Sequence, residues 1–297
     1  MKNFTEHKID HDFSNTRIDR WFRQYFEGLS HNNLEKYLRK GFIRVNEKKI
    51  RSSYRLNKGD IIKTSVFINN FLSNDRKIKK IYGSEDFIKK NTLHIDNDLL
   101  VINKPFNLAV QGGTGIKRNL DDLLVSAFSG KKITPRLVHR LDKETSGVML
   151  IALNRKMASH LSNLFKTKNV QKTYWAITEG EPEKTTGEIN INITDDEKKQ
   201  RQKSLTKYNK VLKINDNISW IAFRPITGRT HQIRKHASMS NFPIVGDKKY
   251  GNKNNKIIKF NKLHLHSHSV DFKGLNGDIL HFEAQLPDHM METWVKY

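Results

Sequence analysis

The sequence predicts an α+β protein in two parts: a small N-terminal α/β unit, then a larger unit built on a mixed, largely antiparallel sheet with flanking helices. Three observations predict it. Apolar residues at helical spacing give way to short alternating strands before residue 65. A charged, turn-prone stretch without clean periodicity follows. From Leu93 onward, β-rich runs appear, the first two joined by a hairpin signal.

The elements follow in chain order. Ile18, Trp21, Phe22, Tyr25 and Phe26 fall at i, i+3, i+4, i+7 and i+8, one face of a helix that Gly28 should end. A second helix is expected from about Asn32, with Asn32-Asn33-Leu34-Glu35 as its capping box, Leu34, Tyr37 and Leu38 as its buried stripe, and Gly41 as its stop. Ile43 and Val45 flank Arg44 in a short strand. Asn46-Glu47-Lys48-Lys49 and Lys58-Gly59-Asp60 turn the chain, and Ile61-Ile62 closes the small sheet. Residues 66–91 read as a linker around Ser73-Asn74-Asp75-Arg76-Lys77-Ile78-Lys79-Lys80. Leu93-His94-Ile95 and Leu99-Leu100-Val101-Ile102 are strands paired across Asp96-Asn97-Asp98, and Lys104-Pro105 ends the second. Val148-Met149-Leu150-Ile151-Ala152-Leu153 reads as a buried strand, and Ile233 with Ala237 marks the buried face of a helix. Stretches 195–203 and 253–262 are charged loops. The expected division is therefore 1–65, 66–91 and 92–297.

Composition narrows the partners. The 297 residues include 54 Lys+Arg against 31 Asp+Glu, a net charge of +23, and the pI is about 10.0. Such a field attracts polyanions, so nucleic acid leads and an anionic membrane surface is the competitor. The chain is polar overall, with a mean hydropathy of -0.70, yet long enough to bury a core. With no cysteines, disulfides, thiolate catalysis and cysteine-based zinc sites are excluded. Residues 1–8 lack the apolar stretch of a signal peptide, and no run of about 18 apolar residues could span a membrane. A soluble, cytoplasmic protein is expected. Between His31 and Lys63, ten basic residues face Glu35, Glu47 and Asp60. One such run is usually a solvated face, but charges on two successive packed elements make a patch the better reading.

Chemistry concentrates in Arg136-Leu137-Val138-His139-Arg140-Leu141-Asp142-Lys143-Glu144-Thr145-Ser146-Gly147, a charged loop feeding a buried strand. On residue types alone, Asp142 between Arg140 and Lys143 would more often be a structural ion pair than a catalyst. His264, His266 and His268 lie at strand spacing, but no convincing fourth ligand accompanies them, so no metal site is expected. Gly112-Gly113-Thr114-Gly115 lacks the Lys-Ser/Thr of a phosphate loop.

Two resemblances sharpen this. Arg17-Ile18-Asp19, then Leu38-Arg39-Lys40-Gly41-Phe42-Ile43-Arg44-Val45-Asn46, then Leu56-Asn57-Lys58-Gly59-Asp60 resemble the S4 RNA-binding domain over residues 15–65. That resemblance implies shape-directed binding of structured RNA, with Arg17, Lys36, Arg39, Lys40 and Arg44 as contacts. His139-Arg140-Leu141-Asp142-Lys143-Glu144-Thr145-Ser146-Gly147 resembles the signature of the pseudouridine synthase family typified by the ribosomal large-subunit enzymes A, C and D. Further blocks follow in that family's order: Asn103-Lys104-Pro105 with Gln111-Gly112-Gly113, then Gln171-Lys172-Thr173-Tyr174-Trp175-Ala176. Pro225-Ile226-Thr227-Gly228-Arg229-Thr230-His231-Gln232-Ile233-Arg234 and Pro243-Ile244-Val245-Gly246-Asp247-Lys248-Lys249-Tyr250-Gly251 complete the set. The resemblance covers residues 90–290. One departure is Phe106-Asn107, where members usually carry a small residue and then Gly.

The family resemblance implies Asp142 as the catalytic aspartate, Tyr174 as the active-site tyrosine and Arg234 as its arginine. It also implies substrate contacts from Arg140, Lys172, Arg229 and His231, the last two on phosphates. Isomerising uridine breaks C1′–N1, turns the base and joins C1′ to C5. It needs no redox or nucleotide cofactor and no activated water. A carboxylate could attack C1′ or C6, or remove the 2′ proton. An ordinary aspartate pKa of ~3.9 keeps it ionised, and a guanidinium would hold it so. Base flipping favours unpaired uridines. Thr145-Ser146-Gly147 and the S4-like N-terminus most resemble the C-type subgroup, acting on 23S rRNA. Two rivals are an RNA phosphodiesterase using Asp142 and His139, and an inactive rRNA-binding or ribosome-assembly factor.

Overall fold

Both periodicities are realised in a computed structural model of the chain, which describes residues 4–10, 13–26, 29–71, 81–112, 115–116, 118–131, 133–194, 200–252 and 260–296, without the side chains of 23–24 and 69–71. Gly28, the stretch 73–80, Gly113-Thr114 and most of both charged loops lie outside the described residues. The chain divides into two units, Met1–Lys80 and Ile81–Tyr297.

In the first unit, β1 (Phe4–Lys8) precedes α1 (Ile18–Tyr25), α2 (His31–Lys40), β2 (Ile43–Val45) and β3 (Ile61–Ser65). The strands pair antiparallel in the order β1-β3-β2. The helical stripe Ile18, Trp21, Phe22 and Phe26 packs on Leu34, Leu38, Ile43, Val45 and Ile62. The α2 cap is Ser30 rather than Asn32: its Oγ accepts the Asn33 N–H at 3.3 Å, and Gly41 closes the helix in the left-handed region at φ 74°. β1 was not foreseen, because Phe4-Thr5-Glu6-His7-Lys8 carries no apolar alternation.

The linker expected over 66–91 is partly structured. Val66–Phe71 forms a 3-10 turn, and α3 (Ser84–Asn91) is a helix. The apolar contacts of α3 with the second unit's core are Phe87 and Ile88, too few for a periodic signal, and the Ser84 hydroxyl bonds Ser126 at 3.0 Å.

The second unit continues with β4 (Thr92–Ile95), β5 (Leu99–Lys104), α4 (Leu120–Ala127), β6 (Arg136–Leu137), β7 (Ser146–Ala152) and α5 (Arg155–Lys166). Then come β8 (Gln171–Glu179), β9 (Thr186–Ile189), β10 (Ile193–Thr194), β11 (Arg201–Gln202), β12 (Thr206–Asn215), β13 (Ile218–Pro225), α6 (Gln232–Met239), β14 (Leu265–Lys273), β15 (Ile279–Glu283) and α7 (Asp288–Lys296). The main sheet runs β4-β5-β7-β14-β8-β13-β12-β9, with β15 on β14 and β6 on β7. Every pairing in it is antiparallel except β14 with β7, so the expected mixed, largely antiparallel sheet is present.

Alternation explains the continuous apolar runs. Leu100, Ile102, Met149 and Ile151 face Ile88, Leu120, Leu123 and Leu124 of α3 and α4. Leu99, Val101, Val148 and Leu150 face Met157, Leu161 and Leu164 of α5. A strand covered on both faces has no polar side to show. Where β7 meets β14, Gly147 sits at φ 111°, and a Cβ there would lie 2.1 Å from the Ser267 carbonyl oxygen. No side chain fits.

Candidate active site

The loop before β7, the turn after β5, the start of α6 and the segment after Asp247 converge on a cleft of about 540 Å³. Asn107, Asp142, Lys143, Glu144, His231, Arg234, Lys248 and Lys249 line it. Asn107 holds φ 66°, the left-handed conformation that suits a glycine and that asparagine also tolerates. This accounts for the departure at Phe106-Asn107.

Asp142 heads a turn closed by the Thr145 N–H on its carbonyl at 3.1 Å. Its side chain is 29% exposed, with Oδ1 3.7 Å from His231 Nε2 and Oδ2 3.8 Å from an Arg234 terminal nitrogen. Arg234 itself is buried, 4% exposed, at the start of α6. Its guanidinium donates two 2.7 Å bonds to Asp247, the planar fork an arginine makes with a carboxylate. Glu144 lies 3.7 Å away. Burial disfavours the Arg234 charge, but Asp247, Asp142 and Glu144 outweigh it and raise its pKa. Burial likewise opposes the Asp247 charge, yet Arg234 and the backbone N–H groups of Tyr250 and Lys249 hold that carboxyl below its ordinary range.

Tyr174 lies on β8 opposite Ser267, in contact with two apolar clusters. Burial pushes its hydroxyl up to about 12, with Asp142 adding to the effect against a hydrogen bond with Ser267; it stays a neutral phenol. Lys172, two residues earlier, has its pKa lowered by burial. His231 stands at φ 54°, capping α6, with Nδ1 2.9 Å from the Tyr250 hydroxyl. It sits beside the carboxylate rather than on an open rim. Arg229 is exposed, its Nε donating to the Lys203 carbonyl at 3.3 Å. Arg140 is exposed and is not among the cleft-lining residues.

In the first unit, Lys36, Arg39 and Lys40 are exposed on α2. Arg17 instead pairs with Asp19 at 2.6 Å, and Arg44 donates to the Gly41 carbonyl at 3.1 Å. Both have local duties as well as charge.

Four residues of the site carried no role in the sequence reading. Lys104 is fully buried, and its Nζ donates to the carbonyls of Pro105 (3.0 Å), Leu108 (2.9 Å) and Lys143 (3.3 Å). Burial pulls its pKa down to about 7 while Asp142 pulls the other way; three carbonyl acceptors fit an ammonium. It pins the Asp142 loop to the end of β5. Gln232, 4% exposed, accepts from the Thr227 hydroxyl (2.7 Å) and the Arg229 N–H (3.1 Å), and donates to the Leu205 carbonyl (3.0 Å) and Thr206 Oγ1 (2.9 Å). Asp247 and Tyr250 complete the set. All four stand inside the quoted motifs, which was the available signal.

His139 turns from the cleft: Nε2 accepts the Leu150 N–H at 2.9 Å, and its ring stacks on Phe165. Burial lowers its pKa to about 3, with Lys172 contributing. A phosphodiesterase pairing it with Asp142 has no geometric support. Within the histidine row, His264 bonds the Lys262 carbonyl and Thr293, and His266 bonds Ser146 and the Ala284 carbonyl. Both are structural. Among the described residues, no helix is long and apolar enough to cross a membrane.

Comparison with known proteins identifies the family. Residues 98–239 match the family described as RNA pseudouridylate synthase. The ribosomal large subunit pseudouridine synthase C of Rickettsia felis is 35% identical, covering 95% of this chain and 96% of that protein. The enzyme of the same name from Haemophilus influenzae is 31% identical over 96% of this chain and 92% of its own length. Among solved structures, human RNA pseudouridylate synthase domain containing 4 superposes with a TM-score of 0.63 at 29% identity, over 72% of this chain and 97% of that one.

Proposed function

This chain belongs to the RNA pseudouridylate synthase family and is an RNA-modifying isomerase, and from that premise we propose that Asp142 is the group through which it converts uridine to pseudouridine. One observation carries the reading. Asp142 is a partly exposed carboxylate in a basic cleft, with a different donor facing each of its oxygens. Arg234, itself fixed by Asp247, faces that carboxylate with a held positive charge and orients it. As an anion it can attack C1′ or C6, or take the 2′ proton; the C1′–N1 bond breaks, C1′–C5 forms, C5 loses a proton and N1 gains one. Tyr174, a neutral phenol beside it, offers a ring face to the extruded base. Arg140, Lys172 and Arg229 meet the backbone with His231 nearer the sugar.

The substrate we propose is large-subunit ribosomal RNA, 23S in a bacterium, modified in the cytoplasm. The names of the relatives and the net charge of +23 support it. The first unit is read as an S4-like module that tethers structured RNA through Lys36, Arg39 and Lys40, with Arg17 and Arg44 adding charge, and so raises effective concentration at the cleft.

The experiment is Asp142→Asn, assayed by chemical mapping of pseudouridine in rRNA together with RNA affinity. Binding should stay within about twofold, while the rate falls by at least ~10²-fold, the range for losing one acid–base or nucleophilic group. Isomerisation by the Asp142→Asn variant at the wild-type rate would end the mechanism, because shape is kept and only the anion is lost.

A further inference from the structure

The two oxygens of Asp142 face different donors, His231 at Oδ1 and Arg234 at Oδ2. Both donors meet on one side chain. The hydroxyl of Tyr250 lies 2.9 Å from His231 Nδ1, and its ring lies 5.3 Å from the Arg234 guanidinium carbon. We propose that Tyr250 is a positioning residue for the isomerisation, fixing the tautomer of His231 so that Nε2–H faces Asp142 while its ring supports the guanidinium that faces the other oxygen. This rests on the assignment of Asp142 as the reacting group.

The tautomer follows from elementary electrostatics. Burial lowers the His231 pKa, as do Arg234, Lys249 and Lys235, against the opposite pull of Asp142. At neutral pH the ring is therefore neutral and carries one proton, on one nitrogen or the other. A lone pair on Nε2 would point at a carboxylate 3.7 Å away, which is repulsive. A proton on Nε2 is attractive, and it requires Nδ1 to accept. The Tyr250 hydroxyl, 2.9 Å from Nδ1, is placed to be that donor. At 3.7 Å the Nε2–Oδ1 contact is long for a hydrogen bond, as catalytic contacts are before substrate tightens them.

Tyr250 is itself held. Asp247 Oδ1 accepts its backbone N–H at 3.0 Å and that of Lys249 at 2.9 Å. The Gly251 N–H bonds the Asp247 carbonyl at 2.8 Å. Gly246, at φ 73°, has no room for a Cβ, which would meet the Lys262 carbonyl oxygen at 1.9 Å. The carboxylate that clamps Arg234 therefore also sets the turn that presents Tyr250. The ammoniums of Lys249 and Lys235 lie 5.1 and 5.7 Å from the same ring, so the ring faces three cations, each an attractive contact of its quadrupole.

The test uses the full chain and large-subunit rRNA transcripts labelled with tritium at uridine C5, since joining C1′ to C5 expels that hydrogen. Tyr250→Phe keeps the ring and removes the hydroxyl. Its single-turnover rate should fall roughly 3–10-fold, the worth of one hydrogen bond, with RNA affinity unchanged. In a His231→Gln background the same change should lower the rate by less than about twofold, because two groups acting as a unit are not additive. Nitrogen-15 spectra should show His231 protonated at Nε2 in the wild type and a mixed tautomer in Tyr250→Phe. A wild-type rate in Tyr250→Phe, or an equal fold loss in both backgrounds, overturns the inference. Asp142→Asn is the control: if it is inactive, those outcomes bear on Tyr250 alone; if it is active, the site assignment falls and this inference with it.

Discussion

Arg234 engages three carboxylates, and the buried one, Asp247, sets its pose. Both partners are nearly free of water, 4% and 7% exposed, so removing one leaves the other as an uncompensated buried charge. Asp247→Ala should cost about 3–5 kcal/mol in urea unfolding, and activity should fall with it. The pH sign is set by the depressed carboxyl of Asp247. Its contribution is complete above the ordinary carboxylate pKa of ~3.9 and is lost as pH falls toward the lower folded value. Asp247→Ala should accordingly flatten the acid limb of the stability profile below about pH 4. At this scale the sequence was unevenly legible. Asp142 and Arg234 could be named because the blocks around them resemble those of the family, whereas residue types alone left Asp142 as a structural ion pair. Lys104 could not, since a lysine that donates to three backbone carbonyls looks in sequence like any surface lysine.

Helix α6 carries Arg234 to the cleft, with His231 at its cap, and beside the apolar contacts of Ile233 and Ala237 it has a polar attachment. Gln232 satisfies all four of its hydrogen-bonding positions against the start of β12 and the turn before α6. His236 adds Thr206, Ser204 and the Ile191 carbonyl. Gln232→Leu should strand those partners at about 1–3 kcal/mol for each buried group left unmade, and the shift in α6 should appear as a rate loss larger than the loss in RNA affinity. An unchanged rate constant would show that the helix holds its place without this network. Elements were legible where apolar period was strong, as in α1, β5 and β7. They were missed where tertiary partners did the work: β1 is held by pairing to β3, and α3 by Phe87, Ile88 and the Ser84–Ser126 hydrogen bond. The α2 cap moved from Asn32 to Ser30 because the capping oxygen depends on where the chain enters the helix.

Across the whole molecule, charge and burial make separate demands. The buried His264 and His266 are pulled to about 4, chiefly by burial. The unfolded chain takes up protons below about pH 6.5 that the folded one refuses, so stability falls from there to about pH 4, by up to about 1.4 kcal/mol per pH unit for each histidine. Urea midpoints measured across that window should fall, and His266→Gln should reduce the slope. Exposed charge acts on the partner instead: replacing Lys36, Arg39 and Lys40 with Ala should weaken RNA binding and lower its salt slope by up to about 1 per lost phosphate contact. The two-part α+β layout was legible from composition and period. The strand order was not, since β14 lies between β7 and β8 although the chain passes through every strand from β8 to β13, and through α6, before reaching it.

That seat gives β14 the part of a keystone during synthesis. A nascent chain elongated only through α6 already contains Asp142, His231 and Arg234, yet β7 and β8 still present open edges, the two parts of the sheet that β14 joins are not yet paired, and Lys248 and Lys249 of the cleft are not yet made. Translation therefore yields the residues of the enzyme well before it yields the enzyme. Chains stalled before residue 265 should release no C5 tritium and should be cut readily by protease at the unpaired edges, whereas chains extended past β15 should resist.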